Sequence, residues 1–206
     1  LPEPEVRAIA RSIARYEPGE EVSCRPPPPI GGGGEEDNKI TLMPRAAADL
    51  IRYAPEVAWL VDGVLPIGRT LLLSGASGTG KSWLSLDLAV AVDQGARWVG
   101  NFSCRKGRAL VVDEENGDAL LKRRLVKLLR ARGLPEDGAG SGVQFLSMAG
   151  VDLSDEDCVA EMERVLDESH PDLLIFDTFV RVHRADESSS REMALISRLL
   201  QQWCLA

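Results

Sequence analysis

Residues 75–82 read Gly75-Ala76-Ser77-Gly78-Thr79-Gly80-Lys81-Ser82 and fill every fixed position of the pattern G-x-x-x-x-G-K-[ST]. An apolar run, Thr70 to Ser74, precedes them, and a segment with helical spacing, Trp83 to Val92, follows. Strand, glycine-rich loop and helix in that order make a phosphate-binding loop. Gly75, Gly78 and Gly80 let the backbone bend where a side chain would collide with a phosphate. The turned N–H groups and the helix N-terminus offer partial positive charge to an anion. Lys81 reaches the β- and γ-phosphates, and the Ser82 hydroxyl is a natural Mg²⁺ ligand. The plainer alternative is a glycine-rich turn before an ordinary helix.

A chain of 206 residues holds one sizeable domain and a tail. Apolar residues make up 44% and aromatic residues 5%, so the expected core is aliphatic. The net charge of −8 argues against a surface coated in nucleic acid, while leaving room for a local basic patch. Cys24, Cys104, Cys158 and Cys204 are scattered, without a C-x-x-C pair, and His170 and His183 have no ligand spacing around them. They read as reduced thiols of a cytoplasmic protein without a cysteine–histidine metal site. No apolar run reaches the roughly 18 residues needed to cross a bilayer, so no membrane partner is expected. The start, Leu1 to Glu5, lacks the basic and apolar regions of a signal peptide. It also lacks Met, and the end falls inside a helical pattern, so the expectation is a piece of a longer protein.

Residues 1–38 form a separate zone. Pro26 to Pro29, Gly31 to Gly34 and Glu35-Glu36-Asp37 predict a flexible linker, preceded by the tail of another domain with one short helix over Val6 to Arg15. From residue 39 to 206 the pattern predicts a compact core. Helices are expected at Ala46–Tyr53, Lys81–Asp93, Asp118–Arg132, Ser154–Glu168 and Ser190–Trp203. Strands are expected at Thr70–Ser74, Arg108–Val112, Val143–Leu146 and Asp172–Phe176. Continuous apolar strands alternating with helices predict an α/β fold with a mainly parallel sheet.

Two carboxylate sites accompany the loop. Leu173 to Phe176 is an apolar strand ending in Asp177, the pattern of an aspartate that holds Mg²⁺ beside a phosphate loop. In a parallel sheet the carboxyl ends of all strands share one edge, where ligands bind. Asp113-Glu114-Glu115-Asn116 ends the Arg108–Val112 strand on that same edge. One of the glutamates is placed to orient and deprotonate an attacking water. Simpler readings are a turn after Asp177, and a solvated acidic turn that caps the next helix through Asn116 or Asp118.

Together these features resemble the RecA-like ATPases, and within them the plasmid replicative helicase RepA family. The resemblance spans roughly residues 40–203. It includes Trp59 to Gly63 before Gly68, the phosphate loop, Gly95 with Trp98-Val99-Gly100, and Gly107 to Glu115. It ends with Asp177-Thr178, Arg181, His183, Glu187, Ser188 and Met193. It implies a RecA-like P-loop fold in which Glu115 is the general base, with Glu114 one residue away as the alternative. It also implies Mg²⁺-dependent ATP hydrolysis coupled to movement on single-stranded DNA by a hexameric ring in replication. The family continues past this point with a further core strand, so the core is expected to be incomplete at its C-terminus. No N-K-x-D guanine motif is present, in keeping with ATP.

Lys122, Arg123, Arg124, Lys127, Arg130 and Arg132 crowd one predicted helix. Alternation with Leu121, Leu125, Leu128 and Leu129 favours a solvated outer face over a phosphate-tracking one. Arg181, His183 and Arg184 follow Asp177, either in an exposed loop or facing a channel or a neighbour's nucleotide. No aromatic residues interleave with the basic ones as a stacking platform. Two other functions fit the same motifs. One is a regulatory or assembly switch that hydrolyses ATP slowly on protein partners. The other is a nucleotide kinase, disfavoured by the lack of a paired-arginine lid.

Overall fold

The computed structural model describes residues 43–186 and 189–205. The expectations for residues 1–38, and Glu187 and Ser188 of the resemblance, lie outside the described residues. A boundary between compact units falls between Glu56 and Val57. Before it lies α1, Ala47–Tyr53. After it come two small antiparallel hairpins and a three-stranded parallel sheet with its helices.

The first hairpin pairs β1, Trp59–Val61, with β2, Leu65–Pro66. Residues 70–74 follow but form no strand, contrary to the expectation from their apolar run. A strand exists by its ladder, and among the described residues no strand pairs with this one. Leu71, Leu72 and Leu73 are accordingly exposed, Leu72 by 76%.

The loop helix α2, Lys81–Gln94, is buried through Leu86, Leu88 and the run from Ala89 to Asp93. It starts at Gly80 and ends at Gly95, with φ of 92° and 61°. Both angles lie in the left-handed region that favours glycine. A second hairpin, β3 at Arg97–Trp98 and β4 at Phe102–Ser103, packs beside it, with Trp98 Nε1 donating to the Leu84 carbonyl at 3.0 Å.

The main sheet has the order β6-β5-β7, with β5 at Ala109–Asp113, β6 at Gln144–Ser147 and β7 at Leu173–Asp177. Strand β5 is central and buried at all five positions, as a parallel strand covered on both faces must be. Helix α3, Gly117–Ala131, links β5 to β6, and α4, Glu156–Ser169, links β6 to β7. After β7 come one turn of 3-10 helix, Phe179–Arg181, and α5, Ser190–Leu205.

Side chains alternate across the sheet and build two cores. Ala109 and Val111 of β5, with Leu173 and Ile175 of β7, pack against Leu88, Ala89, Ala91 and Val92 of α2. Val112, Leu146, Leu174 and Phe176 pack on the opposite face against Met162 of α4 and Ile196 of α5. Burial of each such Val or Leu stabilises by about 1.5–3 kcal/mol. Helix α3 lies on the α2 side, tied by Arg132 to Asp87 at 2.6 Å. Helix α4 begins two residues later than predicted, at Glu156, because Asp155 caps it by accepting the Cys158 N–H at 2.9 Å. The Ser154 hydroxyl accepts the Arg184 N–H instead, at 2.8 Å.

Candidate active site

Parallel register does the first part of the assembly. Asp113 of β5 pairs with Asp177 of β7 and with Ser147 of β6, so the carboxyl ends of three strands are level. Asp113 and Asp177 therefore emerge side by side, and α2 contacts both β5 and β7 beneath them.

The phosphate loop is folded on itself. Gly78 and Gly80 have positive φ, 79° and 92°. Thr79 Oγ1 donates to the Ala76 carbonyl at 2.8 Å. Lys81 Nζ reaches back over the loop and donates to the Gly75 and Ala76 carbonyls at 2.7 and 2.9 Å. The N–H groups of Gly78, Thr79 and Gly80 donate to no protein acceptor among the described residues. Those of Lys81 and Ser82 are orphans of the first helical turn. The loop thus offers a concentrated set of N–H donors and an ammonium to an anion.

The Ser82 hydroxyl lies near enough to the Asp177 carboxylate to favour its charged form. Burial pushes Asp177 above the usual carboxylate range. The Ser82 hydroxyl opposes this, the Asp113 and Glu115 carboxylates add to it, and the Arg124 guanidinium opposes it. Three carboxylates and a hydroxyl thus influence one another at the strand ends beside the phosphate loop. Asp113 is occupied: its Oδ1 accepts the N–H groups of Glu115 at 3.1 Å and Asn116 at 2.7 Å. Its Oδ2 accepts Asn116 Nδ2 at 2.9 Å. It folds the turn that carries Glu115, as an aspartate-led turn does. The oxygens left for a hard cation are those of Ser82 and Asp177. Among the described residues no cluster of three or more His, Cys, Asp or Glu forms a metal cage. Mg²⁺ fits this donor set, because it takes one or two protein oxygens and fills its other positions with phosphate and water.

The two glutamates part company. Glu114 is 7% exposed, and its Oε1 accepts the Val151 N–H at 3.0 Å. Its backbone N–H donates to the Asp177 carbonyl at 2.9 Å. Glu115 is exposed and near enough to Asp177 to act on its charge. Of the loop after β7, Arg181 turns back so that Nη1 meets the Glu114 carbonyl at 3.4 Å. Arg184 pairs with Asp152 at 2.6 Å, and His183 is buried with its ring edge on Phe179.

Arg124 carries no motif, and in the sequence it is one cation among six on a helix. In the fold it leaves the others. Its guanidinium carbon lies 5.9 Å from the Trp83 ring centroid, one residue after Ser82, and its charge is felt at Asp177. The signal in the sequence was helical phase: Arg124 is off the stripe formed by Arg123, Lys127 and Arg130.

A carboxylate whose folded-state pKa is raised contributes stability below its unfolded pKa and loses it as pH rises through the folded-state range. Asp177→Asn should therefore raise the thermal midpoint of the nucleotide-free protein at pH 7.5, by about 1–3 °C. The gain should vanish below about pH 4, where both side chains are neutral. The same variant should lose the Mg²⁺-dependent part of the thermal shift produced by ATP. Thermal melts across pH, with and without MgATP, test both; a midpoint lowered at pH 7.5 would refute the electrostatic account of Asp177.

A family model described as an AAA domain matches residues 37–206. A search among curated proteins returns no match. No helix among the described residues is long and apolar enough to cross a membrane. With the matched span covering most of the sequence and containing the phosphate loop and both carboxylate-bearing strands, the chain belongs to the AAA-domain family of P-loop ATPases.

Proposed function

We propose that residues 39–206 form a RecA-like core, akin to the RepA family, that hydrolyses ATP with Mg²⁺ to drive a helicase or translocase along single-stranded DNA in replication. The carrying observation is the convergence of Ser82, Asp177 and Glu115 beside the phosphate loop, at the level carboxyl ends of β5 and β7. A hexameric ring and a cytoplasmic setting belong to the same reading and rest on the resemblance.

In this reading the loop N–H groups of residues 75–82 hold the phosphates. The Lys81 ammonium exchanges the Gly75 and Ala76 carbonyls for β- and γ-phosphate oxygens. Mg²⁺, held by Ser82 and Asp177, supplies charge neutralisation at those oxygens when bound. Glu115 accepts the proton of a water whose oxygen attacks the γ-phosphorus. The bond from that phosphorus to the β–γ bridging oxygen breaks, giving ADP and phosphate. Asp113 and Asn116 fix the turn that aims Glu115. Arg124, braced on Trp83, balances the carboxylate charge from within the same chain.

ATP turnover measured with and without single-stranded DNA tests the motor. Stimulation of about tenfold or more is the expected result. Turnover that is slow and indifferent to DNA would overturn the motor in favour of an ATP-dependent switch on protein partners. Phosphate transferred to a small acceptor would overturn both in favour of a kinase.

A further inference from the structure

Helix α3 carries five basic residues against one acidic, Asp118. Helix α4, of nearly equal length, carries six acidic residues against one basic, Arg164. Neither imbalance is neutralised among the described residues. Lys122, Arg123 and Lys127 are exposed and have no ion-pair partner among the described residues. Arg130 has one, Glu136 at 2.7 Å. Glu156, Asp157 and Asp167 of α4 are likewise exposed and unpaired among the described residues. Arg164 pairs with Glu161 at 2.6 Å and with Glu168.

The two helices lie on opposite faces of the sheet. Arg132, just past α3, ties it to α2 through Asp87, and α2 packs on the Ala109–Val111 side. Met162 of α4 packs on the Val112 side. Their outward stripes therefore point away from each other, and among the described residues neither stripe meets the other's opposite charge. We propose that the α3 face of one copy docks on the α4 face of a second copy, in a head-to-tail contact matched by opposite charge. This rests on the reading of the protein as a homo-oligomer and names its surface.

The contact uses two different surfaces, so it is heterologous. Each added copy leaves one α3 face and one α4 face open, and repetition gives a ring when the rotation closes or a filament when it does not. Helices of 15 and 14 residues are about 21–22 Å long, so the stripes match in length. Arg123, Lys127 and Arg130 run along the outer side of α3, beside a shallow depression of about 320 Å³ that Ala119 and Val126 also line. A small apolar floor with a basic rim suits the acidic α4, whose outward face holds Ala160 among its carboxylates. Nucleic acid fits less well, because no aromatic ring stands among the cations of this face to stack a base. Opposed exposed charge fixes register and speeds encounter, so the contact should be strongly salt-dependent.

Sedimentation velocity of the chain tests this, with two charge reversals. The first is K122E/R123E/K127E and the second E156K/D157K/D167K; circular dichroism reports that each is folded. The wild type should self-associate at about 50 mM salt and weaken at least about tenfold at 500 mM. Each variant alone should be monomeric, since it carries like charge on both faces. An equimolar mixture should associate again, because each variant's α3 then faces the opposite charge on the other's α4. Self-association that persists in both variants overturns this surface while leaving the oligomer intact. A wild type that stays monomeric at low salt overturns the oligomer reading with it. Single-stranded oligonucleotide binding lost in the first variant, with self-association unchanged, overturns the docking in favour of a nucleic-acid face.

Discussion

Glu115→Gln should lower ATP turnover by about 10²–10⁴-fold while leaving nucleotide affinity close to that of the wild type. The amide keeps the size and position of the side chain but cannot accept the proton of the attacking water. Glu115 makes no side-chain hydrogen bond among the described residues, is exposed, and ends a turn held by Asp113. Its loss should hardly touch stability. The matched control is Glu114→Gln. Glu114 is spent on structure: Oε1 holds the Val151 N–H, and the residue is nearly fully buried. An amide oxygen still accepts that bond, though without charge assistance, so the expected cost is about 1 kcal/mol of stability. Turnover should fall far less than in the Glu115 variant. Single-turnover hydrolysis beside equilibrium binding of a fluorescent ATP analogue separates the two variants. An active Glu115→Gln with an inactive Glu114→Gln would exchange their roles.

The one-residue ambiguity between these glutamates shows where sequence ran out. Both lie at the end of one apolar strand, and the pattern says only that one of them faces the ligand edge. The decision is made by contacts from distant residues: Val151, 37 positions on, takes Glu114, and Asp113 turns the chain so that Glu115 points out. Local signals fared better. The strands at β5, β6 and β7 and helices α2 to α5 lie within one or two residues of their apolar periods and glycine stops, because those signals are themselves local. The phosphate loop was legible for the same reason. The segment 70–74 was not, because a strand's state depends on a neighbour that its own residues do not encode. Arg124 was hidden in another way: residue type and crowding suggested solvent, and only helical phase and the placement of α3 against α2 turn it to Trp83 and Asp177. The two hairpins went unnoticed because strands of two or three residues carry no period to read.

Lys81→Ala should weaken ATP binding by about 10²–10⁴-fold and leave the fold almost untouched. In the nucleotide-free loop Nζ makes two hydrogen bonds to carbonyls, at 2.7 and 2.9 Å, both exposed to water. Water replaces such partners readily, so their loss should cost less than about 1 kcal/mol. A bound triphosphate changes the sum. Charge-assisted hydrogen bonds to phosphate oxygens contribute about 1.5–3 kcal/mol each, and two of them account for the predicted loss of affinity. Lys81→Arg should not rescue it. The guanidinium is broader and planar, and the loop closes around a compact ammonium that sits between the Gly75 and Ala76 carbonyls. Thermal melts should show midpoints within about 2–3 °C of the wild type for Lys81→Ala without nucleotide, and no upward shift with MgATP at concentrations that shift the wild type. A variant that melts far lower without nucleotide would assign Lys81 to holding the loop together. One that still shifts with MgATP would leave phosphate capture to the backbone N–H groups and the helix N-terminus alone, and the ammonium would then act only as charge develops on the transferring phosphoryl group.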